Sequence, residues 1–256
     1  INADQIMQRV GTNQDRAENL RRQYVYKQHV VVVSRKTSGK LMQEEAAEYL
    51  VIPDPQGSSK RLDRLAGKYW QKHGYVSYSG LQTPNDGSLD GDLVSDLRDD
   101  LVNERQTKDG IAANLFPLTS KEQKRYRFQV LGEETLKDRK VYRLGFAPKN
   151  SEVAWKGEAL IDAEEFQPVS IFTRLSRRVP FWVRTALGTD FPDLGFSVKY
   201  ERQPDGVWFP VSFGTEFRLR AIFFINREIT VSMQNGDFEK THVDSVVHYD
   251  ETSLHR

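Results

Sequence analysis

The feature that most limits how this chain can fold is the two-residue alternation running from Phe196 to Leu219, interrupted once at Asp205-Gly206. Phe196, Val198 and Tyr200 fall on one side, and Ser197, Lys199 and Glu201 on the other. Beyond the turn, Val207, Phe209, Val211, Phe213, Phe217 and Leu219 resume the apolar side. Successive side chains of a strand point to opposite faces, so the pattern specifies a ribbon with one dry and one wet face. Asp-Gly between two such runs signals a hairpin, because such turns need positive φ at both central residues. A sheet of this kind needs an apolar cover, and the chain offers little helix to supply one.

The same reading extends along the second half. Strands are expected near 126–131, 140–147, 152–162, 167–178, 194–203, 207–220, 226–235 and 238–249, with turns at Lys137-Asp138, Pro148 to Asn150, Asp205-Gly206 and Asn235-Gly236. Links this short make consecutive strands antiparallel neighbours. In the first half, Ile6, Met7, Val10, Ala17 and Leu20 predict a helix from Ala3 to Leu20, with Gly11 interrupting it. A strand from Tyr24 to Ser34 turns at Ser38-Gly39 into another from Lys40 to Ile52, whose run Glu44 to Glu48 suits a helix equally well. After a loop at Pro53, Pro55 and Gly57, Leu62 to Tyr69 reads as a further strand.

The middle of the chain is different in kind. A helix capped by Ser88 or Asp90 places Leu89, Leu93, Val94, Leu97 and Leu101 on one stripe, with Asp96, Arg98, Asp99, Asp100 and Glu104 opposite. Thr119 stands three residues before Glu122, the spacing of a capping box. With no internal repeat, low-complexity tract or linker in view, one domain is expected over 1–256, carrying a helical insertion at about 86–125. The connection 179–194 is long for a hairpin and rich in aromatics. Phe181, Trp182 and Phe191 are therefore candidates for a cavity mouth or a partner contact, against the alternative that they complete the core.

Composition removes several function classes. Lys plus Arg number 37 and Asp plus Glu 36, a net charge of +1, so no global field draws nucleic acid or an acidic surface, although local patches remain open. In Arg125 to Phe128 the rings and the bases alternate, which suits a core better than a stacking platform, and no nucleic-acid partner is expected. The absence of cysteine excludes disulfides, thiolate metal sites and a cysteine nucleophile. The longest apolar stretches, Val30 to Val33 and Ala221 to Ile225, fall far short of a membrane span, so no transmembrane segment is expected.

Motifs for chemistry are weak. His242, Asp244 and His248 share one face of the last expected strand, but the outer two would stand about 20 Å apart, too far for one ion. Asp86 to Gly91 resembles the opening of a calcium loop, yet its twelfth position is Leu97, and a helix cap accounts for the same residues. Tyr75 to Gly80 lacks the leading glycine of a nucleophile elbow, and no phosphate loop, dinucleotide fingerprint or zinc-protease helix is present. No catalytic residue, metal or cofactor is predicted.

Three stretches carry a family likeness: Val141 to Lys149, Trp155 to Asp162 followed by Pro168 to Ile171, and Tyr200 to Pro210. Together with the order of elements they make residues 126–249 resemble the periplasmic lipoprotein-carrier superfamily, the LolA/LolB-like proteins. The resemblance implies a mainly β (α+β) fold: a strongly curved antiparallel sheet forming an unclosed half-barrel, with α-helices covering its concave face. It also implies a non-enzymatic protein that carries a lipid, a lipoprotein acyl chain or another hydrophobic ligand in the bacterial periplasm or envelope. On that reading Ile1 is the start left after a leader, or a lipid-anchored cysteine, has been removed. The arginine that locks the carrier's lid has four candidates, Arg9, Arg16, Arg21 and Arg22, and the acidic insertion and the 179–194 connection have no counterpart.

The expected cavity lining comprises Phe128, Leu144, Phe146, Trp155, Ile171, Phe196, Val198, Phe209, Phe213 and Phe217, covered by Leu93, Leu97 and Leu101. Its occupant would be a lipid or an acylated protein. The alternative is a filled half-barrel that serves as an interaction scaffold and meets another envelope protein through 179–194.

Overall fold

The computed structural model describes residues 1–54, 57–84, 88–103, 117–150, 155–175, 189–190, 195–221 and 225–241. In chain order these form α1 (Ala3–Arg21), β1 (Tyr24–Lys36), β2 (Leu41–Asp54), β3 (Gly57–Gln71), β4 (Gly74–Gly80), α2 (Leu89–Asn103), α3 (Ser120–Gln123), β5 (Tyr126–Leu136), β6 (Arg139–Pro148), β7 (Trp155–Asp162), β8 (Pro168–Leu175), β9 (Thr189–Asp190), β10 (Gly195–Arg202), β11 (Trp208–Ala221) and β12 (Ile225–Lys240). The strands build one antiparallel sheet in the order β4-β3-β2-β1-β12-β11-β10-β8-β7-β6-β5, with the two-residue β9 pairing on β11. The ends of this path, β4 and β5, do not pair with each other, so the sheet is not closed into a barrel. Laid flat, eleven strands would span about 48 Å. Instead a single apolar cluster takes in Leu65 of β3, Phe146 of β6 and residues of both long helices, so the sheet curves round its helical cover. None of the described helices is long and apolar enough to cross a membrane.

The pairing of β1 with β12, from Tyr24↔Lys240 to Lys36↔Arg227, joins the N-terminal meander β1–β4 to the C-terminal one. It also corrects the reading of Asn235-Gly236 as a turn between two strands. β12 runs unbroken through these residues and carries a bulge instead, the register stepping from Lys27↔Gly236 to Val25↔Glu239, with Asp237 at φ 52°. A bulge keeps the long partner strand paired on both sides of the irregularity, where a turn would end the ladder. Most of the expected strand 238–249, and with it His242, Asp244 and His248, lies outside the described residues.

The tight two-residue turn with both central residues at positive φ is Lys137-Asp138 (φ 48° and 65°). At Asp205-Gly206 only Gly206 is left-handed (φ 92°), within a wider turn closed by Gln203 N donating to Val207 O at 2.8 Å. The doubtful run Glu44 to Glu48 is strand, paired to β1 on one side and β3 on the other. β4, not anticipated from sequence, extends the sheet beyond β3.

The α1 helix starts in a capping box: Asn2 Oδ1 accepts from Gln5 N at 2.9 Å and Gln5 Oε1 accepts from Asn2 N at 3.1 Å. Gly11 does not interrupt it. A Cβ there would stand 2.9 Å from Ser120 Oγ and Gln123 Nε2, so the glycine lets α3 lie flush on α1. This contact half-buries Glu122, whose Oε2 is shut off from solvent with no hydrogen-bond partner among the described residues. Burial pushes its carboxyl up to about 7, with Lys121 and Arg125 pulling down and Glu18 pushing further up. The native state then holds a proton that the unfolded chain releases near 4.5, so stability falls as pH rises from about 4.5 to about 7. Glu122→Gln is expected to raise the melting temperature at pH 8 and leave it unchanged at pH 4.5; equal effects at both pH values would contradict this.

Candidate functional site beneath the two helices

One apolar surface lies between the sheet and its helices. Leu144, Phe146, Ile171, Val198 and Phe213 are buried in it, and Phe128, Phe196, Leu93 and Leu97 are half-buried at its margin. Trp155 stands edge-on to Phe196, ring centroids 4.8 Å apart, and Phe196 in turn leans on Phe213 at 5.2 Å. These residues come together because they alternate along neighbouring strands in matched register, as in Phe128↔Phe146 and Val198↔Phe213. Leu101 and Phe217 fall on α2 and β11, but their side chains lie outside the described part, as do Phe181, Trp182 and Phe191.

Phe209 lies elsewhere. It packs with Tyr24 and Val207 in a smaller cluster edged by Leu20, Val211 and Phe238. Between β10 and β11 the register steps from Lys199↔Ser212 to Tyr200↔Pro210, which inserts Val211 and shifts the alternation by one, so Trp208 joins the main core in its place. The sequence reading also confined the lining to the second half of the chain. The cluster includes Val30 and Val32 of β1, Tyr49 of β2, Leu65 of β3, and Ile229, Val231 and Met233 of β12. The signal for these was present as alternation within β1 and β12, but only the β1–β12 pairing turns it toward the same space.

The two covers are attached differently. Helix α1 inserts Ile6, Met7 and Val10, all at 3% exposure or less, at about 1.5–3 kcal/mol for each buried side chain. It is further tied to the β7–β8 turn by Asn13 Nδ2 donating to Glu165 O (2.8 Å) and Gln14 to Gln167 Oε1 (2.6 Å), and to β11 by Arg21 Nη1 donating to Trp208 O (3.2 Å). That turn is rigid. Asp162, fully buried, accepts from Arg139 Nε (2.6 Å) and the backbone N–H groups of Glu164 (3.0 Å) and Glu165 (2.8 Å). Burial pushes the Asp162 carboxyl up, but these donors outweigh it and hold the group below its ordinary value.

Helix α2, capped by Ser88 Oγ accepting from Gly91 N at 3.0 Å, lies on β1 and β2, and among its described side chains Val94 is the one aliphatic group fully buried. Leu93 and Leu97 add half-buried contacts, and two polar latches join the helix to the sheet. At its start Asp90 accepts from Ser34 Oγ (2.6 Å) and from Arg227 through Nε (2.6 Å) and Nη2 (2.8 Å). Two turns on, Arg98 pairs with Glu45, which is 1% exposed and also accepts from Tyr78 Oη (2.6 Å) and Thr83 Oγ1 (2.6 Å). Burial and the bond to Glu45 push the Tyr78 hydroxyl far above its ordinary value, so it stays a donor. Burial lifts Tyr49 to about 12, against the pull of Arg98.

By its spacing Arg98 falls on the expected solvated face of α2, yet it is turned into the sheet. Arg98 and Arg227 are the arginines that tie a covering helix to the sheet by ion pairs among the described residues. Arg9 lies over the Phe166 ring at 4.6 Å, Arg21 caps β11 as above, and Arg16 is exposed. A signal existed in the alternation Leu41, Gln43, Glu45, Ala47, Tyr49, Val51, which sets Glu45 on the covered face, where a charge requires a partner. Both latches are saturated by their own donors. Among the described residues no three His, Asp or Glu side chains converge as a metal would need.

No family model matches this sequence, and no curated protein matches it. In structure the chain is similar to a DUF1329 family protein from Desulfovibrio piger, with 11% identity and a TM-score of 0.43, over 93% of this chain and 92% of that one. It is also similar to a putative outer membrane lipoprotein-sorting protein domain from Vibrio parahaemolyticus (10%, 0.39, 90% and 92%). A third likeness is to a LolA superfamily protein from Nitrosomonas europaea (12%, 0.37, 95% of each chain). At such identities a likeness concerns the fold and not the ligand.

Proposed function

We propose that this protein is a non-enzymatic binder or carrier of an acyl-bearing ligand in the bacterial envelope, holding its cargo between the apolar sheet face and α2. The observation that carries this reading is the unequal attachment of the two covers over one continuous apolar surface. Hydrophobic burial secures α1, whereas the described part of α2 buries fully a single aliphatic side chain and is tied down by two buried ion pairs, which against water contribute little net stability. A helix so held can leave without unfolding the sheet, and what it uncovers is apolar. Burying an acyl chain there yields about 0.8 kcal/mol per methylene, so affinity requires few directed polar contacts. The compartment rests on the resemblance of the three turn motifs to lipoprotein carriers.

The test is native mass spectrometry of protein purified from bacterial envelopes, with a fluorescent fatty-acid probe added to delipidated protein. Acyl species that copurify, and probe uptake that Asp90→Asn accelerates by loosening the first latch, are the expected results. A protein that carries no lipid and takes up no probe would refute the reading.

A further inference from the structure

The outer face of β5–β8 holds an open trough of about 580 Å³, on the side of the sheet away from the helices. Its floor is low because Gly145 presents no side chain, and Leu131 (45% exposed) and Phe172 (55% exposed) stand at its flanks. Across it runs a row set by strand register. Arg127 lies opposite Ala147, Phe146↔Gly157 carried one residue further sets Ala147 beside Lys156, and Lys156 lies directly opposite Arg174. Three cations thus share one line over three strand spacings, about 14 Å.

Like charges placed directly opposite across a strand pair are destabilising. Neither Lys156 and Arg174 nor Arg127 has an ion-pair partner among the described residues. Of the described acids beside the row, Glu158 (2.7 Å) and Glu134 (3.4 Å) are both held by Arg143. An uncompensated cationic row flanked by an exposed aromatic and an exposed leucine has the chemistry of an interface between anionic headgroups and hydrocarbon.

We infer that this face docks on an anionic lipid surface, with headgroup phosphates in the trough against Arg127, Lys156 and Arg174 and with Phe172 and Leu131 reaching the acyl boundary. The site lies outside the space proposed for cargo and does not depend on it. Co-sedimentation of the full chain with vesicles of phosphatidylglycerol and phosphatidylcholine tests it. Salt-sensitive binding is expected to the mixed vesicles and not to phosphatidylcholine alone. The double variant K156Q/R174Q is expected to weaken binding roughly 30-fold, F172S to weaken it without changing the salt dependence, and K36Q/R64Q, on β1 and β3, to leave it unchanged. All are surface changes, and equal melting temperatures establish that the variants fold. Absence of vesicle binding, equal loss in K36Q/R64Q, full displacement by millimolar inorganic phosphate, or capture of polyglutamate in preference to vesicles would each overturn the inference.

Discussion

Replacing Arg98 by Ala is expected to lower stability by about 3–5 kcal/mol, because it leaves Glu45 as a buried carboxylate without its cation. Tyr78 and Thr83 still donate to Glu45, which places the expected loss toward the lower end of that range. Urea denaturation measures the change, and hydrogen exchange locates it: amides of α2 lose protection while those of β1 and β12 keep theirs. The paired replacement E45M/R98M separates the cost of an orphaned charge from the worth of the pair. If buried ion pairs contribute little net stability, the double variant recovers most of what R98A loses. A loss below about 1 kcal/mol in R98A would mean that the latch does not hold α2, and the argument for a releasable cover would fall with it.

Gly157→Ala is expected to cost about 3 kcal/mol or more and to disturb the β7–β8 register. A Cβ at this position would stand 1.9 Å from Phe172 O and 2.8 Å from Thr173 Cα. Both are backbone atoms of the paired strand, so neither can swing aside as the end of a flexible side chain would. Gly74→Ala is the control: nothing lies within 4 Å of its added methyl, and Ala is the better strand residue, so its melting temperature should equal or exceed the wild type. Thermal melts of the two variants side by side decide the matter. Equal behaviour would show that β7 and β8 are not packed as closely as the ladder Lys156↔Arg174, Gly157↔Thr173 requires.

Most strands of the second half could be placed from alternation and turn chemistry, because each depends on residues close in sequence. Side-chain facing on β10 followed directly, with Phe196, Val198 and Tyr200 all reaching the core. On β11 the same logic failed at Val211, since a bulge changes the parity of everything beyond it and has no reliable local mark. Gly11 illustrates another limit: read alone it is a helix breaker, and only α3 pressed against it shows that a side chain there would have to push Ser120 and Gln123 aside. The latches were illegible for a related reason. Arg98 amid Asp96, Asp99 and Asp100 has the composition of a wet face, and its partner Glu45 lies 53 residues away.

What local chemistry determined here is a largely antiparallel β chain with amphipathic helices at its start and middle, since period and turn residues act over a few positions. The tertiary structure alone decided that β1 lies against β12, roughly two hundred residues away, that the apolar faces of both halves meet under the same helices, and that an arginine helps to hold one of those helices down. Long-range pairing is selected by the total area buried and the hydrogen bonds completed across the whole sheet, quantities that no single segment of the sequence contains.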